Sequence, residues 1–282
     1  MSEPLPDPCE VVAWRPAVPG ISEVFHARIA DYRYPKHSHD TWTVLIVDTG
    51  ALGYDIDTHH HGAVGESVSI LPPGVTHNGY PAQRSGSFRK RNLYLDSTFL
   101  PEDLVGHAVD ASTFHDPSLR AAISTLHDRL TAPPPSGGLP GAPDLLDVEA
   151  RLALIAERFR SRLQQRPPAG LDPEPAIADH LRQYLDGHIT DPVTLDQAAR
   201  LLGRSVPHLV RSFTKRWGIP PHAYVVGKRI EAARGLLLQG VPAARVAVDV
   251  GFHDQAHLTR HFKRHVPATP ARYAASAATA RP

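Results

Sequence analysis

The sequence predicts an α+β protein of two domains: an N-terminal β-sandwich or barrel with flanking helices, and a C-terminal all-α domain with two helix-turn-helix units. Three observations carry this. Short apolar runs punctuated by glycine and proline fill residues 21–96, the pattern of strands joined by tight turns. Helical periodicity takes over after Asp96. Near the C-terminus a phrase is written twice: Leu209, Arg211, Phe213, Lys215, Pro221 and Tyr224 recur 49 residues later as Leu258, Arg260, Phe262, Arg264, Pro270 and Tyr273. A phrase repeated at fixed spacing marks one supersecondary unit built twice.

The 282 residues suit two domains of about 100–200 residues each, placed at 1–165 and 176–282 with a linker over 166–175. In the first, Thr43–Val47 and Ser67–Leu71 read as strands, and Gly50, Gly53, Gly62, Gly65, Gly74 and Pro72-Pro73 as their turns. His59-His60-His61 falls where a hairpin turn is expected, and Arg89-Lys90-Arg91 reads as a solvated strand end. Helices follow over Pro117–Leu130 and Leu145–Leu163, each with an apolar stripe. Between them, Thr131 to Pro143 reads as a loop, and Gln164 to Pro175, with four prolines, as the linker.

In the second domain, Ile177, Leu181, Tyr184 and Leu185 mark a first helix. Thr194 is placed to cap Leu195–Leu202, and Ser205 to cap Pro207–Trp217. A long helix runs from Pro221 to Gln239 and stops at Gly240. The second unit is Pro242–Val250, then Asp254 as cap of Gln255–His265, with a last helix from Pro270. In each unit a small residue (Ala199, Ala247) sits one helical turn before a glycine (Gly203, Gly251). The glycine makes the turn, and the small residue lets two helices cross closely.

Charge points to the partner. Residues 175–282 hold 15 Lys+Arg against 7 Asp+Glu, and the rest hold 15 against 22. A basic segment joined to an acidic one fits a DNA-binding domain coupled to a different module. The start of the chain has no signal-peptide pattern, and no apolar run is long enough for a membrane span. Cys9 is the only cysteine, so an intramolecular disulfide and a cysteine zinc cluster are excluded. The expected place of work is the cytoplasm.

The second helix of a helix-turn-helix enters the major groove. Burial of Leu209 and Phe213 would leave Pro207, His208, Val210 and Arg211 facing bases. Burial of Leu258 and Phe262 would leave Gln255, Ala256, His257 and Arg260. Arginine can pair with guanine, glutamine with adenine, and small apolar side chains with thymine methyls. Lys215, Arg216, Lys263 and Arg264 suit phosphates. Residues 176–273 resemble the C-terminal domain of AraC/XylS-type bacterial transcription regulators. The resemblance rests on Gly251-Phe252, Asp254-Gln255, His257-Leu258, Arg260 with Phe262, and Pro267, Pro270 and Tyr273. It implies a seven-helix double reader of double-stranded DNA that acts through RNA polymerase. It also implies a homodimer formed by the N-terminal module. Pro207 departs from the small polar or aromatic residue common there, which makes the second unit the surer base reader.

His37-Ser38-His39 and Pro72-Pro73-Gly74-Val75-Thr76-His77 resemble the two motifs of the cupin barrel. The N-terminal domain is therefore expected to be cupin-like and to bind a small-molecule effector. His37, His39, Trp42, His77 and Tyr80 are the candidate pocket, with Tyr94 as a further aromatic. His37, His39 and His77 would be the ligands of any divalent metal. The glutamate that usually completes such a set is absent, since Thr43 and Val44 occupy its positions. The expectation is thus no resident metal or cofactor, no catalysis, and an activator that responds to its effector. The alternatives are a metal-dependent cupin enzyme fused to a DNA-binding domain, and a constitutive regulator.

Overall fold

The computed structural model describes residues 9–57, 59–82, 87–131, 145–165, 176–191 and 195–279. Nearly all of the loop after Thr131, the linker 166–175 and the Thr194 cap fall outside these residues.

Ten strands form two antiparallel sheets facing each other. The larger has the order β1 (Cys9–Trp14), β2 (Ile21–Ala30), β9 (Ser87–Leu95), β4 (Trp42–Thr49), β7 (Ser67–Leu71), β10 (Thr113–His115). The smaller has the order β3 (Tyr34–His37), β8 (His77–Pro81), β5 (Ala51–Ile56), β6 (His59–Val64). The β-domain therefore starts at Cys9, earlier than its glycine-rich stretch suggested, because β1 pairs along the whole of its length with β2. Three helices, α1 (Leu104–Asp110), α2 (Pro117–Thr131) and α3 (Leu145–Gln164), complete this part. The apolar stripes of α2 and α3 are buried through Leu119, Ile123, Leu126, Val148, Ile155 and Phe159.

Two sequence expectations are corrected. The histidine run is not a turn but the start of β6; His61 stacks on Tyr54 and its Nε2 lies 3.1 Å from the Val109 carbonyl. Arg89-Lys90-Arg91 is not a solvated strand end. Successive strand side chains face opposite ways, and Lys90 points into the barrel at 7% exposure while Arg91 pairs with Asp48 outside.

Among the described residues the C-terminal part is built of helices: α4 (Ala176–Asp186), α5 (Leu195–Leu202), α6 (Val206–Trp217), α7 (Pro221–Leu238), α8 (Ala243–Asp249), α9 (Gln255–His265) and α10 (Pro270–Thr279). The two helix-turn-helix units are α5–α6 and α8–α9. Their cores differ. Leu181, Leu185, Ala198, Leu209, Phe213 and Tyr224 form a separate cluster around the first unit. Val246, Leu258 and Phe262 of the second unit, with Tyr273 of α10, belong to one continuous core with the barrel. At 18 residues, α7 is a rod of about 27 Å, which approaches one turn of B-DNA at roughly 34–36 Å.

The turn glycines differ in the same sense. Gly203 and Gly251 both have positive φ, +61° and +85°, but a Cβ at Gly203 would meet open space. At Gly251 it would lie 2.7 Å from the Thr190 carbonyl oxygen and 3.0 Å from the Arg229 guanidinium carbon. Gly203→Ala should cost about 1–2 kcal/mol for the left-handed backbone. Gly251→Ala should cost about 3 kcal/mol or more because a backbone clash adds to that term. Urea denaturation of the two variants checks the order, and equal losses would show that the second turn is not tightly packed.

Candidate functional site

The reading surface lies on α6 and α9. Leu209 and Phe213 bury one face of α6, and Leu258 and Phe262 the same face of α9. Pro207, Arg211 and Lys215 stand exposed on α6, while His208 and Val210 are half-buried. Arg216 differs from the phosphate role expected of it: its guanidinium lies 5.0 Å from the Trp217 ring centre and 3.7 Å from Asp179. On α9, Gln255, Ala256, Arg260, Lys263 and Arg264 are exposed. Asp254 caps α9, accepting a 2.7 Å bond from the His257 backbone N–H, whereas the Ser205 side chain makes no such bond to α6. His257 is half-buried, its ring against Phe252 and His261. Burial first, then the neighbouring His257, pulls His261 down to about 4, so it is neutral at pH 7.

A second site lies inside the molecule, where the barrel meets the helical part. A cavity of about 50 Å³ is bounded by both sheets and closed by Arg234 of α7 together with His265 and Val266 at the end of α9. Strand register explains its wall. Across β2, β9 and β4, Phe25 faces Asn92 and Asn92 faces Leu45; one pair along, Glu23 faces Tyr94 and Tyr94 faces Thr43. Paired residues share a face, so these side chains and Lys90 project together into the barrel. From the smaller sheet His37 faces His77 across β3 and β8.

His37, His39 and His77 thus gather at the cavity, with ring centres 4.5, 4.7 and 6.1 Å apart. Each ring has Nδ1 near a backbone carbonyl two residues away: Pro35 at 2.8 Å, Thr41 at 3.0 Å and Val75 at 3.1 Å. A neutral ring donating there turns Nε2 out as an acceptor, and in His39 that nitrogen takes the Thr43 hydroxyl at 3.1 Å. Burial, reinforced by the neighbouring rings, holds all three well below the usual histidine range. Among the described residues no group of three or more His, Cys, Asp or Glu side chains has the geometry to hold a metal ion. The Arg234 guanidinium bordering the same space opposes a divalent cation there.

Two expected pocket residues lie elsewhere. Trp42 is fully buried in the core, and Tyr80 hydrogen-bonds Asp55 and His60 away from the cavity. Neither lines the cavity, whereas Tyr94 does. Sequence reasoning missed Lys90, Arg234, Tyr34 and Asn92. The alternation Phe88, Lys90, Asn92 along β9 was the available signal for Lys90; Arg234 had none, because its partner lies 211 residues away.

The barrel grips the helical part near both reading helices. The Thr76 hydroxyl donates to the Trp217 carbonyl at the end of α6, and the Tyr32 hydroxyl to the Lys263 carbonyl near the end of α9 at 3.1 Å. Between them, Lys228 of α7 pairs with Asp40, and Arg234 with the buried Glu23.

Comparison with known proteins follows this division. The model of an AraC-like ligand binding domain matches residues 19–156, and that of a helix-turn-helix domain residues 198–276. HTH-type transcriptional regulator YdiP of Escherichia coli is 25% identical over 254 residues, 84% of this chain and 80% of that protein. YbfI of Bacillus subtilis, also an HTH-type transcriptional regulator, is 43% identical over 76 residues; the match spans 27% of this chain and only 28% of YbfI. Among solved structures, ToxT of Vibrio cholerae with an unsaturated fatty acid bound is similar in fold, with a TM-score of 0.58 at 14% identity over 97% of both chains. No helix among the described residues is long and apolar enough to cross a membrane.

Proposed function

Since the chain belongs to the AraC-type transcriptional regulators and joins a ligand-binding domain to helix-turn-helix units, we propose that it is a non-enzymatic one-component activator switched by a small molecule in the barrel. The observation that carries this reading is the cavity wall. Barrel residues supply most of it, but Arg234, His265 and Val266 come from the helices that hold the DNA reader. A ligand bound in these roughly 50 Å³ touches that wall, and one that presses on it moves α7 and α9. Differential binding of effector to the displaced arrangement shifts the population of DNA-competent protein. ToxT, the fold neighbour, was solved with a small organic ligand, which supports the same use of this architecture here. RNA polymerase and a second copy of the chain complete the proposed partners, with the cytoplasm as the place of work.

Gln255, Ala256, His257 and Arg260 are the proposed base readers of α9, and Pro207, His208, Val210 and Arg211 those of α6. Lys215, Lys263 and Arg264 are proposed for phosphates. Genome-wide mapping of bound DNA supplies the operator for testing. Arg260→Ala should then cost about 1–3 kcal/mol and relax preference at one base pair. Lys263→Ala should weaken binding evenly over sequences and lower the salt slope by about one. Titrations on operator and scrambled duplexes at several salt concentrations separate the two. The opposite pattern would exchange the assigned roles.

A further inference from the structure

Two of the five lysines, Lys36, Lys90, Lys215, Lys228 and Lys263, are buried, and they are held in opposite ways. Lys228 pairs with Asp40 and Glu231. Lys90 has no carboxylate or hydrogen-bond partner among the described residues. Its ammonium nitrogen lies 4.2 Å from the ring centre of Tyr34 and 5.6 Å from that of Phe25. Two more orphans share its cavity: the Tyr34 hydroxyl and the Asn92 side-chain carbonyl are buried without partners. Buried polar groups are normally satisfied, so two unsatisfied ones beside an ammonium without an ion-pair partner mark this cavity as shaped for a polar ligand. Burial and the nearby Arg234 lower the Lys90 ammonium to about 7, which leaves a nucleophilic amine at neutral pH.

We infer that Lys90 captures a small aldehyde or ketone in this cavity as an imine. The nitrogen lone pair attacks the carbonyl carbon and the C=O π electrons move to oxygen. One N–H proton passes to that oxygen, giving a carbinolamine. The second N–H proton then leaves with the oxygen as water while the C=N bond forms. The sum is amine plus carbonyl to imine plus water, with no change of oxidation state. The Tyr34 hydroxyl can donate to the carbinolamine oxygen, and the Asn92 carbonyl can accept from its O–H. A protonated imine would rest over the Tyr34 and Phe25 faces that already border Lys90, where aromatic quadrupoles favour a cation. A cavity of about 50 Å³ holds roughly four waters at about 10–15 Å³ each, so the closed form suits a short-chain carbonyl compound.

The inference rests on the cavity being the effector site, and its test reads the chemistry separately from the regulation. Full-length protein is treated at pH 7 with low millimolar propionaldehyde and cyanoborohydride, and propylation of each lysine is followed by peptide mass spectrometry. Lys90 should react at least tenfold faster than Lys36 and Lys263, and should lose that advantage in urea. Lys90→Arg and Lys90→Met should abolish the fast phase. Labelling of Lys90 no faster than of the exposed lysines, or a fast phase that persists in both variants, would overturn the inference. Operator binding with and without propionaldehyde tests the other half. A Lys90 adduct that leaves DNA affinity unchanged would keep the capture chemistry and remove the effector reading.

Discussion

An Arg234→Met variant will lose about 3–5 kcal/mol of stability, because removing one member of a buried ion pair strands the other. Arg234 and Glu23 expose only 12% and 8% of their side chains. The guanidinium also donates to the Tyr273 hydroxyl at 3.1 Å and lies 4.4 Å from the Tyr94 ring centre. It therefore ties strand β2, strand β9 and helix α10 to α7. A buried pair is often worth little against a hydrophobic replacement of both members. The double variant Glu23→Met with Arg234→Met should accordingly recover at least half of the loss. Urea denaturation of the full chain measures the parent, each single variant (Arg234→Met and Glu23→Met) and the double variant. If the double variant lost as much as the two single ones added together, the damage would come from packing and not from the stranded carboxylate. Because Arg234 also closes the cavity, the single variant should loosen the helical part from the barrel and respond less to any effector.

How much of this was legible in the sequence depended on how local the cause was. The helix-turn-helix units follow from spacing within one stretch of chain, and the buried pairs Leu209 with Phe213 and Leu258 with Phe262 lie one helical turn apart as their period requires. The Asp254 cap is equally local. The barrel was legible as strands and turns, but not as two sheets with β1 and β10 at opposite edges of the larger, since strand order depends on long-range pairing. Of the pocket histidines, His37, His39 and His77 meet because β3 and β8 pair directly. Trp42 and Tyr80 suit a pocket by their chemistry alone, and strand phase sends them elsewhere. The same phase hid Lys90. A basic triplet suggests solvent, yet on a strand its middle member faces away from its neighbours. That the second unit shares a core with the barrel while the first stands on its own has no local signature. It explains why an N-terminal ligand would act more directly on α9 than on α6.

A lysine kept buried and unpaired should cost stability, and Lys90→Met should return it. Burial takes the ammonium from 10.5 to about 7, and each unit corresponds to about 1.36 kcal/mol, so the cost is on the order of 5 kcal/mol at most. Lost attraction to the Tyr34 and Phe25 faces offsets part of this, about 0.5–2 kcal/mol. Lys90→Met should thus be more stable by about 3–4 kcal/mol near pH 6. The pH dependence has a definite sign. Above about pH 10.5 the side chain is neutral in both folded and unfolded chains and costs nothing. Between about 10.5 and 7 the unfolded chain binds the extra proton, so the penalty grows as pH falls. Below about 7 both states are protonated and the penalty is constant. The advantage of Lys90→Met should therefore be full below pH 7 and shrink steadily up to pH 10. Calorimetric Tm values for both proteins across that range check it, and an advantage independent of pH would mean that Lys90 is not the titrating cause. A fold that could gain this much from one substitution and keeps the lysine is trading stability for a task, as active and binding sites commonly do. The cavity that Lys90 shares with the unsatisfied Tyr34 hydroxyl and Asn92 carbonyl is where that task is proposed to be performed.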